Sequence, residues 1–298
     1  MTEGSFSSAP ARAPVALIDL VETRTPEAGL AFVTQATRLA EEAGGRIALA
    51  NEALAPMILP DETSGEFDRA IGLLVITHFP TKQAAENALA KRQEGGSDLA
   101  HEQVRTFAAQ PARRIESFVG RALPKVLGLG SREPVPKIDD AKERDAVIEA
   151  ALVLGEQPSK ARWANLAERA GDGPIWMLNF LEYEKTAIYA DDAQEAAPDA
   201  PISGADAYRS YGQGMVSSLG AVGGRVGWSG RMLGQLAGRD DGQWHQTAIA
   251  VYPSAAAMMT MLALPKYREA HVHRAAALAR TRLLATRPLA PLSSIARA

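Results

Sequence analysis

The chain has 298 residues, a formal net charge of −3 and 46% hydrophobic content. That length suggests two domains, the apolar share supports sizeable cores, and the near-neutral charge lacks the basic stripe of a nucleic-acid binder. There is no cysteine, which excludes disulfides, thiolate chemistry, Cys-ligated zinc and iron–sulfur clusters.

The opening MTEGSFSSAPARAP has no basic start followed by an apolar core, so it reads as a polar leader and not a secretory signal. The longest clear apolar stretch, AIGLLVI at 70–76, is far short of a membrane span. A soluble, cytoplasmic protein with no membrane or nucleic-acid partner is expected.

A first strand is predicted over 14–22, rich in Val, Ile and Leu. A helix follows in PEAGLAFVTQATRLAEEAGG, with Pro26 near its start and a Gly pair at its end. Leu30, Phe32, Val33, Ala36, Leu39 and Ala40 fall near helical period. Two strands joined by the polar turn PDETSGEFD come next. Phe79-Pro80-Thr81 then opens a second helix, AAENALAKRQEGGSDLAHEQVRTF, with Thr81 as its N-cap. A last strand, RRIESFVGRAL at 113–123, closes the first unit. Residues 125–172 read as a Pro/Gly linker followed by connector helices, one capped by Ser159 and anchored by Trp163.

The pattern then starts again. GPIWMLNFLEY at 173–183 repeats APVALIDLVET at 13–23. Gly223-Gly224-Arg225 repeats Gly44-Gly45-Arg46, and Tyr252-Pro253-Ser254 repeats Phe79-Pro80-Thr81. The offsets are 160, 179 and 173 residues, so the second copy carries an insertion, placed near the acidic, Pro-containing stretch 184–204. Its last strand is RLLAT at 282–286. Three anchors in one order indicate an internal repeat. The order β-α-β-β-α-β, met twice, is the ferredoxin-like split unit. Each such sheet has one bare face, so two units can bury these faces against each other. The predicted fold is α+β: a first unit over 13–124, a connector over 125–172, a second unit over 173–288, and flexible tails at 1–12 and 289–298. The two units form a pseudo-dimer within the chain, which is then a monomer or a homodimer.

The second unit resembles the DUF1330 family of the dimeric α/β-barrel superfamily over about 174–288. The resemblance rests on Asn179 in MLNFLEY, on Tyr208 and Tyr211 in YRSYG, on Gly223-Gly224-Arg225, on Tyr252-Pro253-Ser254, and on Pro265, Tyr267 and Arg274 in LPKYREAHVHR. Tyr252 stands for the usual Phe, Leu264 for a frequent Ser, and a Trp before the Pro-x-Tyr step is missing. The first unit has Asp19 at the Asn179 position and no Pro-x-Tyr…Arg, so it reads as a diverged copy. The resemblance implies two ferredoxin-like units packed sheet to sheet as an intramolecular dimeric α/β barrel. Its superfamily includes cofactor-independent monooxygenases, isomerases, cyclases, dehydratases and haem enzymes, so it does not fix the reaction.

The residues themselves suggest where chemistry could lie. Tyr267, His271 and Arg274, spaced i, i+4 and i+7, share one helical face with Leu264. His271 can serve as acid or base, and Arg274 can hold an anionic group in its fork. The same stripe also fits a surface hydrogen-bond network. Asn179 alternates with Ile175, Met177 and Leu181 on one strand face, where it could polarise a substrate or bond a neighbouring backbone. His245 alternates with Thr247, Ile249 and Val251 and points either into a cavity or into solvent. His78 and His101 are weaker candidates. His271 and His273 diverge by about 200° on a helix, so no metal site is expected there.

The predicted function is a small-molecule enzyme without a built-in cofactor, of isomerase, lyase, cyclase or cofactor-independent oxygenase type. His271, His245 and Asn179 are its candidate catalytic residues; Tyr267, Arg274, Tyr208 and Tyr211 bind substrate, an anionic one being an option. The alternatives are a non-catalytic carrier or sensor and a purely structural role.

Overall fold

The computed structural model describes residues 6, 10–23, 25–59, 69–94, 103–112, 133–135, 145–146, 148–149, 158–239 and 241–289. In chain order these form β1 (Val15–Glu22), α1 (Pro26–Glu42), β2 (Arg46–Ile58), β3 (Ile71–Phe79), α2 (Lys82–Glu94) and β4 (Val104–Pro111). After α3 (Lys160–Ala170) come β5 (Ile175–Tyr183), a 3-10 turn (Asp191–Ala196), α4 (Gly204–Ala221), β6 (Arg225–Ala237), β7 (Gln246–Tyr252), α5 (Ala255–Ala263), α6 (Pro265–Ala277) and β8 (Leu278–Pro288).

The helices begin where the sequence sets caps. Thr25, Thr81, Ser159 and Ser254 each accept a backbone N–H three residues on, which satisfies one of the orphan donors of a helix start. Gly44 and Gly223 take positive φ of 70° and 77° just past α1 and α4, the left-handed step that glycine makes at least cost. The following Gly45 lies so close to β3, and Gly224 to the end of α4, that a Cβ would meet His78 O at 2.6 Å and Leu219 Cδ1 at 2.4 Å.

All eight strands join in one closed antiparallel barrel, in the order β1-β3-β2-β8-β5-β7-β6-β4. The expected barrel is present, as one continuous sheet. The long strands β2 and β6 reach past their own neighbours to pair with β8 and β4, so no unpaired edge remains in the barrel. At one seam, Asn51 donates to Thr286 Oγ1 at 2.8 Å, and Thr286 donates to Trp176 O at 2.8 Å. At the other, Asp241 accepts from Arg282 at 2.5 and 3.0 Å and from Arg105 at 2.9 Å, all three buried. Arg105 comes from β4 and Arg282 from β8, so one carboxylate ties strands of both halves.

The strands read as nearly continuous apolar runs because both faces are covered. Ala16, Ile18, Leu20, Phe107, Leu178, Phe180, Ile249 and Leu284 pool inside the barrel. The alternate residues face outward under helices: Val15 and Leu17 near α2, Val21 against α1, and Ile175 and Met177 among α3, α4, α5 and α6.

Two strand assignments change. The strand closing the first half is Val104–Pro111, buried on both faces from Val104 to Ala109, where the sequence had suggested the tail of a helix. The helix ends at Glu94, and 113–123 lies outside the described residues. Val104, Thr106 and Phe107 carry the β-forming character that decides this. The last strand, in turn, extends well beyond 282–286 to Leu278–Pro288. No helix among the described residues is long and apolar enough to cross a membrane.

Candidate functional site

A cavity of about 200 Å³ lies between the outer face of β5, β7 and β8 and the helices α3–α6. Strand alternation brings Met177, Asn179, Ala248, Ala250, Tyr252 and Leu283 to its floor. Helix α6 supplies Tyr267, His271 and Arg274, α4 supplies Tyr208 and Tyr211, and α3 supplies Trp163. Helices α4 and α6 can lie this close because Gly214 faces Ala270: a methyl at 214 would sit 2.6 Å from the Ala270 Cβ.

The walls are apolar and aromatic, with a few polar atoms. The ring centroids of Tyr208 and Tyr211 are 5.1 Å apart, those of Tyr211 and Tyr267 6.1 Å, and those of Tyr267 and His271 5.8 Å. Asn179 Nδ2 donates to the Met177 carbonyl at 3.0 Å. That leaves its side-chain oxygen as an acceptor toward the cavity, with no protein donor on it among the described residues. The Trp163 indole N–H is buried without a hydrogen-bond partner.

Electrostatics give these groups definite protonation states. Burial lowers the His271 pKa to about 4, and the Arg274 charge adds to the effect, so the imidazole is neutral at ordinary pH. Burial raises Tyr208 to about 12 and pushes Tyr211, Tyr252 and Tyr267 upward too. Burial works against the Arg274 cation, but the oxygens of Tyr211, Tyr267, Tyr208 and Tyr252 around it leave its pKa raised overall. The cavity therefore offers one fixed positive charge, one neutral base and several neutral donors.

Six of the seven residues singled out from sequence, Asn179, Tyr208, Tyr211, Tyr267, His271 and Arg274, line this one cavity. His245 does not. It is exposed just before β7, accepts from the Tyr183 N–H at 2.9 Å and stacks on the Tyr183 ring at 5.7 Å. It borders a separate hollow of about 900 Å³ beside β4, β6 and the loop before β7. His273 turns away from His271 to meet the Tyr189 hydroxyl at 2.9 Å. His78 accepts from the Trp228 indole at 2.9 Å and does not line the cavity, and His101 lies outside the described residues. Trp163 and Tyr252 were not foreseen as wall residues. Tyr252 could have been found, since it shares the strand face of Ala248 and Ala250.

No protein-family model and no curated protein matches the sequence. Among solved structures, the RPA0582 protein of unknown function from Rhodopseudomonas palustris is 36% identical over 45% of this chain and 96% of its own, with a TM-score of 0.40. Over that part, the chain belongs to the same family as the Rhodopseudomonas palustris protein. Two whole-chain likenesses are remote. An anthrone oxidase-like protein is 10% identical over 93% of this chain and 91% of its own, with a TM-score of 0.43. A chlorite dismutase variant from Candidatus Nitrospira defluvii is 12% identical over 100% of this chain and 98% of its own, with a TM-score of 0.37. At that distance they carry nothing about what this chain binds or does.

Proposed function

We propose that the cavity beside Asn179 binds a small organic molecule and transforms it by acid–base chemistry that uses side chains alone. The supporting observation is that His271, a neutral imidazole, lines one cavity with the Arg274 guanidinium and the Asn179 amide. A neutral imidazole offers its lone pair to an acidic C–H or O–H of the ligand. Negative charge that develops on the ligand is then met by Arg274 and by the tyrosine hydroxyls. The imidazolium so formed sits beside a permanent cation, which favours return of the proton. This fits isomerase, lyase or cyclase work, or oxygenation of an electron-rich substrate. Asn179 orients the substrate, and Tyr208, Tyr211 and Tyr267 hold its polar groups.

The same proposal covers the finer architecture. The barrel order contains β4-β1-β3-β2 and β8-β5-β7-β6 as two runs of four. We read them as two ferredoxin-like units, the first diverged and the second DUF1330-like, joined by the connector.

A second reading is a non-catalytic carrier. It is favoured by the absence of any carboxylate among the described residues that line the cavity, none of which gives His271 a partner acid. The deciding experiment extracts small molecules from the purified full-length protein, identifies them by mass spectrometry and incubates each with fresh protein. The enzyme reading expects conversion by the natural protein and its loss in His271→Gln with binding retained. Tight binding with no conversion under any condition would leave the carrier, and equal conversion by His271→Gln would remove the proposed base.

A further inference from the structure

The Arg274 guanidinium is unlike four other arginines of the barrel and its helices. Arg92 has Asp19 at 3.0 Å, Arg105 and Arg282 share Asp241, and Arg280 has Glu182 at 2.9 Å. Arg274 makes one long hydrogen bond, to Thr281 Oγ1 at 3.4 Å, and meets no carboxylate among the described residues. Among the described residues, the cavity wall contains no Asp, Glu or Lys. A partly buried charge without a counter-charge is costly, and the fold leaves this one facing open space. Trp163 shares this wall. It is 1% exposed, lines the same cavity, and its indole N–H is unpartnered, a state that native structures rarely leave unexplained.

We propose that the ligand of this cavity is a small aromatic monocarboxylate, with its carboxylate held by Arg274 and its ring among the tyrosines. The inference rests on the reading of the cavity as a small-molecule site. The charge sets the anion: one guanidinium balances one carboxylate, and its planar fork matches carboxylate geometry. A phosphate monoester would carry about −1.5 to −2 charges into a space with a single cation. The volume of about 200 Å³ is below the range of about 300–1,000 Å³ typical of drug-sized ligands, which suits a single ring. The walls of Tyr208, Tyr211, Tyr252, Tyr267, Met258 and Met261 favour an aromatic body through ring and sulfur contacts. The Asn179 oxygen remains to bond a polar substituent on the ring, and the buried Trp163 indole adds apolar wall.

The test titrates the full-length protein with benzoate, benzamide, hexanoate and phenyl phosphate by calorimetry, at one pH and one salt concentration. Benzoate is expected to bind at least about tenfold more tightly than benzamide, the gain of a charged hydrogen bond. In Arg274→Gln that preference disappears, and in Arg274→Lys it is partly kept. Trp163→Phe leaves the benzoate-to-benzamide ratio unchanged. The comparison within the natural protein stands even if a variant fails to fold. Equal binding of benzamide and benzoate overturns the carboxylate assignment while leaving a small-molecule site. Tighter binding of hexanoate overturns the ring, and tighter binding of phenyl phosphate overturns the carboxylate. If none of the four binds, the inference fails; if in addition no endogenous molecule is recovered, the cavity reading itself fails.

Discussion

The outer faces of the two halves carry the same backbone and opposite solutions. On β1, Asp19 pairs across the sheet with Val75 and Thr106. On β5, Asn179 pairs in the same way with Ala248 and Leu283. In the first half, Thr106 donates to Asp19 at 2.6 Å, and Arg92 from α2 closes the pair at 3.0 Å. Arg92 also donates to Thr106 at 2.6 Å and lies over the Phe32 ring. Every charge there has its partner inside the protein. In the second half, Leu283 replaces the hydroxyl, Ala248 takes less room than Val75, and the arginine of the covering helix faces a cavity. A matched ion pair seals one site, whereas an unmatched cation over smaller side chains leaves the other open to a ligand.

The largest effect expected from this difference is on stability. Arg92→Ala strands the buried Asp19 carboxylate and should cost about 3–5 kcal/mol in urea unfolding. Asp19→Asn in the same chain should recover part of that loss, because it removes the stranded charge. An Arg92→Ala variant as stable as the natural protein would mean that the first half is not held by this pair.

The counterpart in the second half should be far milder. Arg274→Gln strands no carboxylate, so unfolding free energy should change by no more than about 1 kcal/mol, and in either direction. If it destabilises as much as Arg92→Ala, Arg274 is a structural residue and the contrast between the halves collapses.

The strand-helix order and the caps were legible because they depend on neighbours in sequence. Thr81 and Ser254 show this, each three residues from the N–H it accepts. The cavity residues were legible for the same reason: the helical spacing of Tyr267, His271 and Arg274 and the alternation around Asn179 set which way they face. What escaped depends on distant partners. A barrel was expected through the resemblance alone, because its closure turns on β2 meeting β8 and β4 meeting β6, which no local pattern encodes. Val104–Pro111 was hidden because helix-like residues precede it and both of its faces are buried, which blurs alternation. Trp163 was recognised as an anchor, but only the fold reveals that it anchors against the cavity. His245 sits on a suggestive strand pattern, yet its position before β7 leaves it in solvent against Tyr183.

The smallest effect separates two histidines, one in each half. His78 and His271 both have pKa values lowered to about 4, burial being the larger cause, with Arg46 and Arg274 respectively adding to it. A base depressed in the folded state but ordinary in the unfolded chain makes the unfolded chain bind more protons between the two values. Their contribution to stability is therefore complete above about pH 6.5 and is lost as pH falls toward 4. His271→Gln and His78→Gln should each remove part of that acid sensitivity. Ligand then tells them apart. A carboxylate bound to Arg274 cancels the nearby positive charge, so the His271 pKa should rise on saturation with benzoate. It should stay below 6.5, because the larger cause, burial, remains. His78, bonded to Trp228, should not move. Proton NMR titration of the imidazole signals with and without benzoate measures both. A ligand-induced shift at His78, or none at His271, would break the assignment of the open cavity to the second half.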